Sequence, residues 1–414
     1  MRFHIETYGC TANLGNSRAL EAALSEMGHR TACLEDAEIV IVNTCAVTEK
    51  TERKMLRRLH QLQGDRLIIG GCLPAALPFS IEGIKYRLKA GILGPSAIKE
   101  IAELFDRPPF GLRDIPAEEE ARQDLCGIVN IAEGCCGGCS YCIVRKARGN
   151  LVSRNPGDIV EAVRNLTGSG MAEIQLTAQD SAAYGRDSGT DLPELLDAVK
   201  EVPGDFMIRI GMMNPDTLLP MLDDLISVLH SPKIYKFIHL PVQSGSDGIL
   251  ESMGRKYTAD DFLGIIDRFR GEFEDIFLMT DIITGFPGET DEDFRKTLEL
   301  IRSAEPDKVN VTRFSLRPGT GAARLYDMPD RIKKDRSREI TRLWMEIARI
   351  RNQRYEGRVL DATVTERGLG DTAKARSCNY AGIVIAGSPR LGSKLRVIVT
   401  GSNPFYLIGS AQTR

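Results

Sequence analysis

The sequence predicts an α/β chain in three parts: an N-terminal parallel-sheet α/β domain, a partial (β/α)6 barrel and a small C-terminal OB-like β-barrel. Three observations predict it. Short apolar runs alternate with helical patterns, the alternation stops at a Pro- and acid-rich stretch and then restarts, and after Gly357 the hydrophobic period changes from 3.6 to 2. The boundaries read as 1–108, 125–329, a connecting helix over 330–356, and 357–414.

In the first part, RFHIETYG, EIVIVNT and RLIIGG are strand-like and are separated by SRALEAALSEMG and a charged helical stretch over 49–63. Apolar runs of this length between helices suit a largely parallel sheet. The stretch DRPPFGLRDIPAEEEARQD (106–124) reads as a linker. Six further strand patterns follow: GIVNIAEG, EIQLTAQD, FMIRIGMMNP, KFIHLPVQS, IFLMTDIITGFP and KVNVTRFS. Six βα units fall short of the eight in a closed (β/α)8 barrel, so the barrel is expected to be open. Residues 330–355 place Ile340, Leu343, Trp344, Ile347 and Ile350 at helical spacing with a basic outer face. The last 58 residues carry VLDATVTE, AGIVIAG, KLRVIVTG and FYLIGSA between Gly, Ser and Pro turns, the size of an OB-like barrel.

Composition narrows the function classes. Of 414 residues 42% are hydrophobic and 27% charged, and no apolar run reaches the roughly 18 residues of a membrane helix. The polar start MRFHIETYG has no signal-peptide pattern. The chain reads as cytoplasmic, where ten cysteines point to metal binding or catalysis rather than disulfides. Net charge is −3, yet residues 330–414 hold 17 Lys and Arg against 8 Asp and Glu. That asymmetry suits a polyanionic partner, and equally a solvated basic surface.

Four of the cysteines fall in GCCGGCSYC (134–142). Cys135, Cys139 and Cys142 form C-x3-C-x2-C, which wraps three irons of a four-iron cluster and leaves one open; a zinc site that also uses Cys136 is the competing reading. A second set, Cys10, Cys45 and Cys72, follows three strands of one sheet, so three thiols distant in sequence are expected on one rim. Structural cysteines are the alternative there. Cys33, in strand-like TACLE, and Cys126 and Cys378 read as packing residues or inert thiols.

The loop, with an aromatic before its last cysteine at the end of a first barrel strand, resembles the radical S-adenosylmethionine (SAM) superfamily. YGCTAN (8–13), NTCAVT (43–48), GGCLP (70–74) and the domain order resemble the methylthiotransferases over essentially the whole chain. LTAQDSAAYGRDSGTDLP and HLPVQSGSD are most similar to the archaeal and eukaryotic branch acting on tRNA N6-threonylcarbamoyladenosine. The resemblance implies two [4Fe-4S] clusters and SAM. Cys135, Cys139 and Cys142 would hold the SAM-cleaving cluster, and Cys10, Cys45 and Cys72 an auxiliary cluster carrying the sulfur to be transferred. It also implies a C-terminal TRAM domain, tRNA presented by its anticodon loop, an electron donor and a sulfur source. A methylthiotransferase acting on isopentenyladenosine or on a ribosomal-protein aspartate is the nearest rival. An electron carrier would leave the barrel unexplained, and a non-catalytic RNA-binding protein the cysteines.

Polar residues at barrel strand ends face the active side or cap turns. Gln179, Asp180, Asn214, Gln243, Ser244 and Thr284 are the candidates for the cofactor wall, with Tyr141 near the adenine of SAM. His239 in its apolar strand reads as a hydrogen-bonded core histidine before it reads as a base. Arg145, Lys146 and Arg148 are expected at RNA phosphate or in solvent, and Arg186, Arg209 and Arg313 are candidates for an anionic substituent on the base.

Overall fold

The structure, a computed structural model, describes residues 1–105 and 124–412. All of the expected 106–124 linker except Asp124 lies outside the described residues. The N-terminal sheet has five parallel strands in the order Arg30–Thr31, Arg2–Thr7, Ile39–Thr44, Leu67–Gly71 and Leu88–Lys89. Ile39–Thr44 is buried throughout, as a central strand between two helical layers must be. Cys33 is not in a strand: the chain turns after Thr31, and the exposed Cys33 thiol faces Asp36 Oδ2 at 3.0 Å.

Six parallel strands form the second part: Cys126–Asn130, Glu173–Thr177, Met207–Ile210, Phe237–His239, Phe277–Thr284 and Lys308–Arg313. They pair as two groups of three, joined by the parallel bridges Ile208 to Ile234 and Met212 to His239. The first and last strands do not pair, so the barrel stays open. Along Phe277–Thr284 burial alternates at every residue: Leu278, Thr280, Ile282 and Thr284 are buried. The other face carries Asp281 and Ile283.

The connecting helix, Asp330–Gln353, buries Ile340, Trp344 and Ala348. Ile350 is 60% exposed, contrary to its expected place in the stripe, because the buried row continues instead to Arg351, whose guanidinium reaches Asp307 at 2.7 Å. The basic face is also less free than the charge count suggests: Lys333 and Arg336 are buried against Asp327 and Glu289.

The C-terminal strands Val359–Arg367, Thr372–Ser377, Gly382–Ala386, Lys394–Ser402 and Leu407–Ala411 close a five-stranded barrel. Sequence reading misses Thr372–Ser377 because its inward residues are Ala373, Ala375 and Ser377, none of them a strongly apolar strand marker. The barrel docks on the amino ends of the six parallel strands, through Lys236 N to Cys378 O (2.9 Å), Leu125 N to Thr365 O (2.9 Å), Asn379 Nδ2 to Asp275 O (2.9 Å) and the pair Arg358–Asp275 (2.9 Å). The carboxyl ends are thereby left to the N-terminal domain. Among the described residues no helix is long and apolar enough to cross a membrane.

Candidate active site

Both cysteine triads reach one cavity. Parallel register aligns Thr7 with Asn43, Asn43 with Gly70 and Thr44 with Gly71, so the residues just beyond each strand share a rim. Cys10 precedes the helix Thr11–Glu26, Cys45 follows Ile39–Thr44 and Cys72 opens Cys72–Ala76. The approach is close: a Cβ on Gly9, at φ +111°, would stand 3.1 Å from the Cys45 sulfur. Asn13 fixes the rim by donating to Tyr8 O (2.8 Å) and Thr44 O (2.9 Å).

Cys135, Cys139 and Cys142 enter from the barrel side on the loop between Ala132–Glu133 and Val144–Arg148. Gly134 turns the chain at φ +75°, where a Cβ would lie 1.9 Å from Asn150 O. The loop is anchored by Ser140, whose N donates to Met253 O (2.9 Å), whose Oγ donates to Ser252 O (2.8 Å) and whose carbonyl accepts from Ala322 N (2.7 Å). Gly137 N points at the Cys135 sulfur at 3.2 Å.

The cavity has a volume of about 520 Å³, and all six cysteines line it; Cys136 is exposed and does not. Burial pushes the Cys72 thiol up to about 11 and Cys135 up to about 12, and it raises Cys45 and Cys139. Thiols so raised become thiolates only against a strong cation, which is what a cluster iron provides. Each triad also has a guanidinium beside it, buried at Arg148 and half-buried at Arg255. Arg148 bonds Glu133, Asn13 Oδ1 (2.6 Å) and Asn16 Oδ1 (3.2 Å) and pulls against the rise at Cys72. Arg255 bonds Tyr141 Oη and Asn214 Oδ1 (2.6 Å) and pulls against the rise at Cys139. Among the described residues no three His, Cys, Asp or Glu converge on a single ion. Each triad offers three thiols, the donor chemistry that iron–sulfur clusters take.

The remaining candidates divide. Tyr141, Gln179, Asn214 and Gln243 line the cavity, and Gln179 Oε1 is buried there without a partner. Asp180, Ser244 and Thr284 stand behind the wall. Asp180 accepts from Asn214 N (3.1 Å), Asn214 Nδ2 (2.9 Å) and Thr217 Oγ1 (2.8 Å); Ser244 accepts from Ser246 N (3.2 Å); Thr284 Oγ1 faces Lys333 O (3.5 Å). Their polarity is consumed in the fold. His239 is hydrogen-bonded, as expected, to Asp281 (3.0 Å), but it lies on the cavity wall rather than in the core, and Asn310 donates to the same carboxylate (2.7 Å). Arg148 is buried and paired, so it meets neither solvent nor RNA phosphate, whereas Arg145 and Lys146 are exposed. Arg186 does not line the cavity; Arg209 and Arg313 do. Sequence reading misses Arg255, whose setting in MGRKY gives no sign that the helix end returns to the cysteine loop. It also misses Asn13 and the bond from Arg317 to Glu52 that closes the cavity from the N-terminal domain.

Comparison with known proteins agrees with this geometry. Residues 129–301 match the Radical SAM superfamily, residues 2–90 the uncharacterized protein family UPF0004, and residues 353–411 the TRAM domain. The radical S-adenosylmethionine methyltransferase TsrM from Kitasatospora setae superposes with a TM-score of 0.57 over 78% of this chain and 76% of its own at 16% identity, which bears on the fold alone. The probable threonylcarbamoyladenosine tRNA methylthiotransferase of Archaeoglobus fulgidus is 41% identical over 99% of this chain and 98% of its own. Its counterpart in Pyrococcus abyssi is 41% identical over 93% of both chains. The human threonylcarbamoyladenosine tRNA methylthiotransferase is 33% identical over 82% of this chain and 62% of its own. Identity of this extent, carried through all three parts of the fold, places the chain in the threonylcarbamoyladenosine tRNA methylthiotransferase family of the Radical SAM superfamily.

Proposed function

We propose that the chain converts N6-threonylcarbamoyladenosine beside the anticodon of tRNA into its 2-methylthio derivative. The observation that carries this reading is the single cavity on which two three-cysteine sets face each other. Cys135, Cys139 and Cys142 would hold one [4Fe-4S] cluster, and Cys10, Cys45 and Cys72 the other. When bound, these groups and SAM supply the electron, the sulfur, the methyl group and the radical. The chain's own residues position and shield. Asp180 fixes Asn214 through two hydrogen bonds, Asn214 in turn receives Arg255, and Arg255 holds the Tyr141 hydroxyl beside the cysteine loop. Gln179, with its unpartnered oxygen, and Gln243 offer hydrogen bonds to SAM from the strand ends. A base whose C2 must enter this cavity has to be unstacked, which an anticodon loop permits and a duplex does not. The reading further requires an electron donor and a sulfur source, and it places the enzyme in the cytoplasm, where thiols stay reduced.

The test is a side-by-side assay of three tRNA substrates with SAM, reductant and sulfide: one carrying the threonylcarbamoyl group, one with plain adenosine and one isopentenylated. Turnover is expected on the first, with little or none on the others. Equal or better activity on isopentenylated tRNA overturns the substrate, and methylthiolation of a ribosomal protein alone overturns the RNA reading.

A further inference from the structure

The cavity wall carries six arginines, Arg145, Arg148, Arg209, Arg255, Arg313 and Arg317, against one carboxylate, Asp281. Four of the six are committed elsewhere. Arg148 is held by Glu133, Arg255 by Tyr141 and Asn214, Arg317 by Glu52, and Arg145 by Gly137 O at 2.7 Å. Asp281 is itself occupied by His239 and Asn310. Arg313 is exposed on the rim, at the end of its strand.

Arg209 is different. It lies mid-strand in Met207–Ile210, one turn of the pleat below the strand ends. Its guanidinium is stacked on the Phe237 ring at 4.8 Å and on the Tyr380 ring at 5.2 Å, the second contributed by the C-terminal barrel. Among the described residues its edge makes one hydrogen bond, to Gln175 Oε1 at 3.2 Å, and Nε is buried without a partner. The nearby carboxylate of Glu173 is taken by Gln175 Nε2 (2.7 Å) and the Tyr380 hydroxyl (3.1 Å). The guanidinium is half-buried and makes no direct ion pair among the described residues, which leaves its donors to a ligand. Two aromatic faces also fix its plane, so that its donor fork is presented ready for a planar anion.

We infer that Arg209 is the receptor for the free carboxylate of the threonyl substituent. This rests on the proposed substrate: joining threonine through its amine to the carbamoyl group leaves the carboxylate as the substituent's one charge, and guanidinium with carboxylate is the pairing that adds geometric specificity to attraction. Selection between a threonylcarbamoyl and an isopentenyl base then resides at the cavity floor. Tyr380 acts through Arg209, as a positioning residue.

The experiment uses anticodon stem-loops bearing the threonylcarbamoyl group as the free acid and as its carboxamide, with kcat/KM measured for wild type, Arg209→Gln, Arg209→Lys and Arg313→Gln. Wild type is expected to prefer the acid by about 10- to 100-fold, the scale of one hydrogen bond to a charged group. Arg209→Gln should lose about that factor on the acid and treat the two substrates alike, Arg209→Lys should keep only part of the preference, and Arg313→Gln should keep all of it. A fall of equal size on acid and amide in both Arg209 variants makes the residue purely structural and overturns the inference. So does a wild type that accepts both substrates equally, or a preference abolished only by Arg313→Gln. If wild type modifies neither stem-loop yet modifies an isopentenylated one, it is the substrate reading that has failed, and the inference falls with it.

Discussion

Cys135 and Cys136 are neighbours in the chain with opposite surroundings. The turn at Gly134 directs Cys135 into the cavity, where Gly137 N meets its sulfur, and leaves Cys136 exposed. Cys136→Ala is therefore expected to retain deoxyadenosine production from SAM and the full iron content, while Cys135→Ala loses the radical chemistry; iron analysis and product chromatography check both. The reverse result would mean that the register of the loop is wrong. The spacing of these cysteines was legible because a cluster dictates it locally. Arg255 was not legible, since its role depends on Gly254 approaching the loop so closely that a Cβ there would stand 2.9 Å from Gly138 O, a contact between segments over a hundred residues apart. Asp180, Ser244 and Thr284 show the converse: a polar residue at a strand end reads the same in sequence whether it faces the cavity or braces a neighbour.

At the level of elements, the three strand ends of the N-terminal sheet do what the loop does alone. Replacing Cys10, Cys45 and Cys72 together by Ala should lower reconstituted iron from about eight to about four per chain if both sites hold four-iron clusters. Unchanged iron would remove the second site. Parallel strands announced themselves through unbroken apolar runs such as IVIVNT, because burial on both faces leaves no polar alternation. The strand Thr372–Ser377 stayed hidden because alanine satisfies an interior position without marking it as apolar. Ile350 misled for the opposite reason: helical spacing implied burial, and the ion pair of Arg351 with Asp307 drew the neighbouring row inward instead.

Across the whole molecule, the N-terminal domain closes one end of the parallel barrel and the C-terminal barrel the other. Much of the C-terminal positive charge is spent within the fold, on pairs such as Lys333–Asp327, Arg351–Asp307 and Lys394–Asp205. Arg338, Arg342 and Arg349, exposed on the connecting helix, line a shallow groove and form the surface expected to meet tRNA phosphate. Replacing all three by Ala should weaken tRNA binding and reduce the slope of log K against log salt by about 0.7 to 0.9 per lost phosphate contact. An unchanged slope would free that helix of the role. The stack of Tyr380 on Arg209 reaches further, because it makes the last domain a support for a residue of the cavity wall rather than an appendage. Grafting the C-terminal domain of a relative with a different substrate onto this chain would replace the ring that fixes Arg209 along with the RNA-binding module. Such hybrids should reveal altered choice of base, and early stop codons in this region would act as active-site lesions.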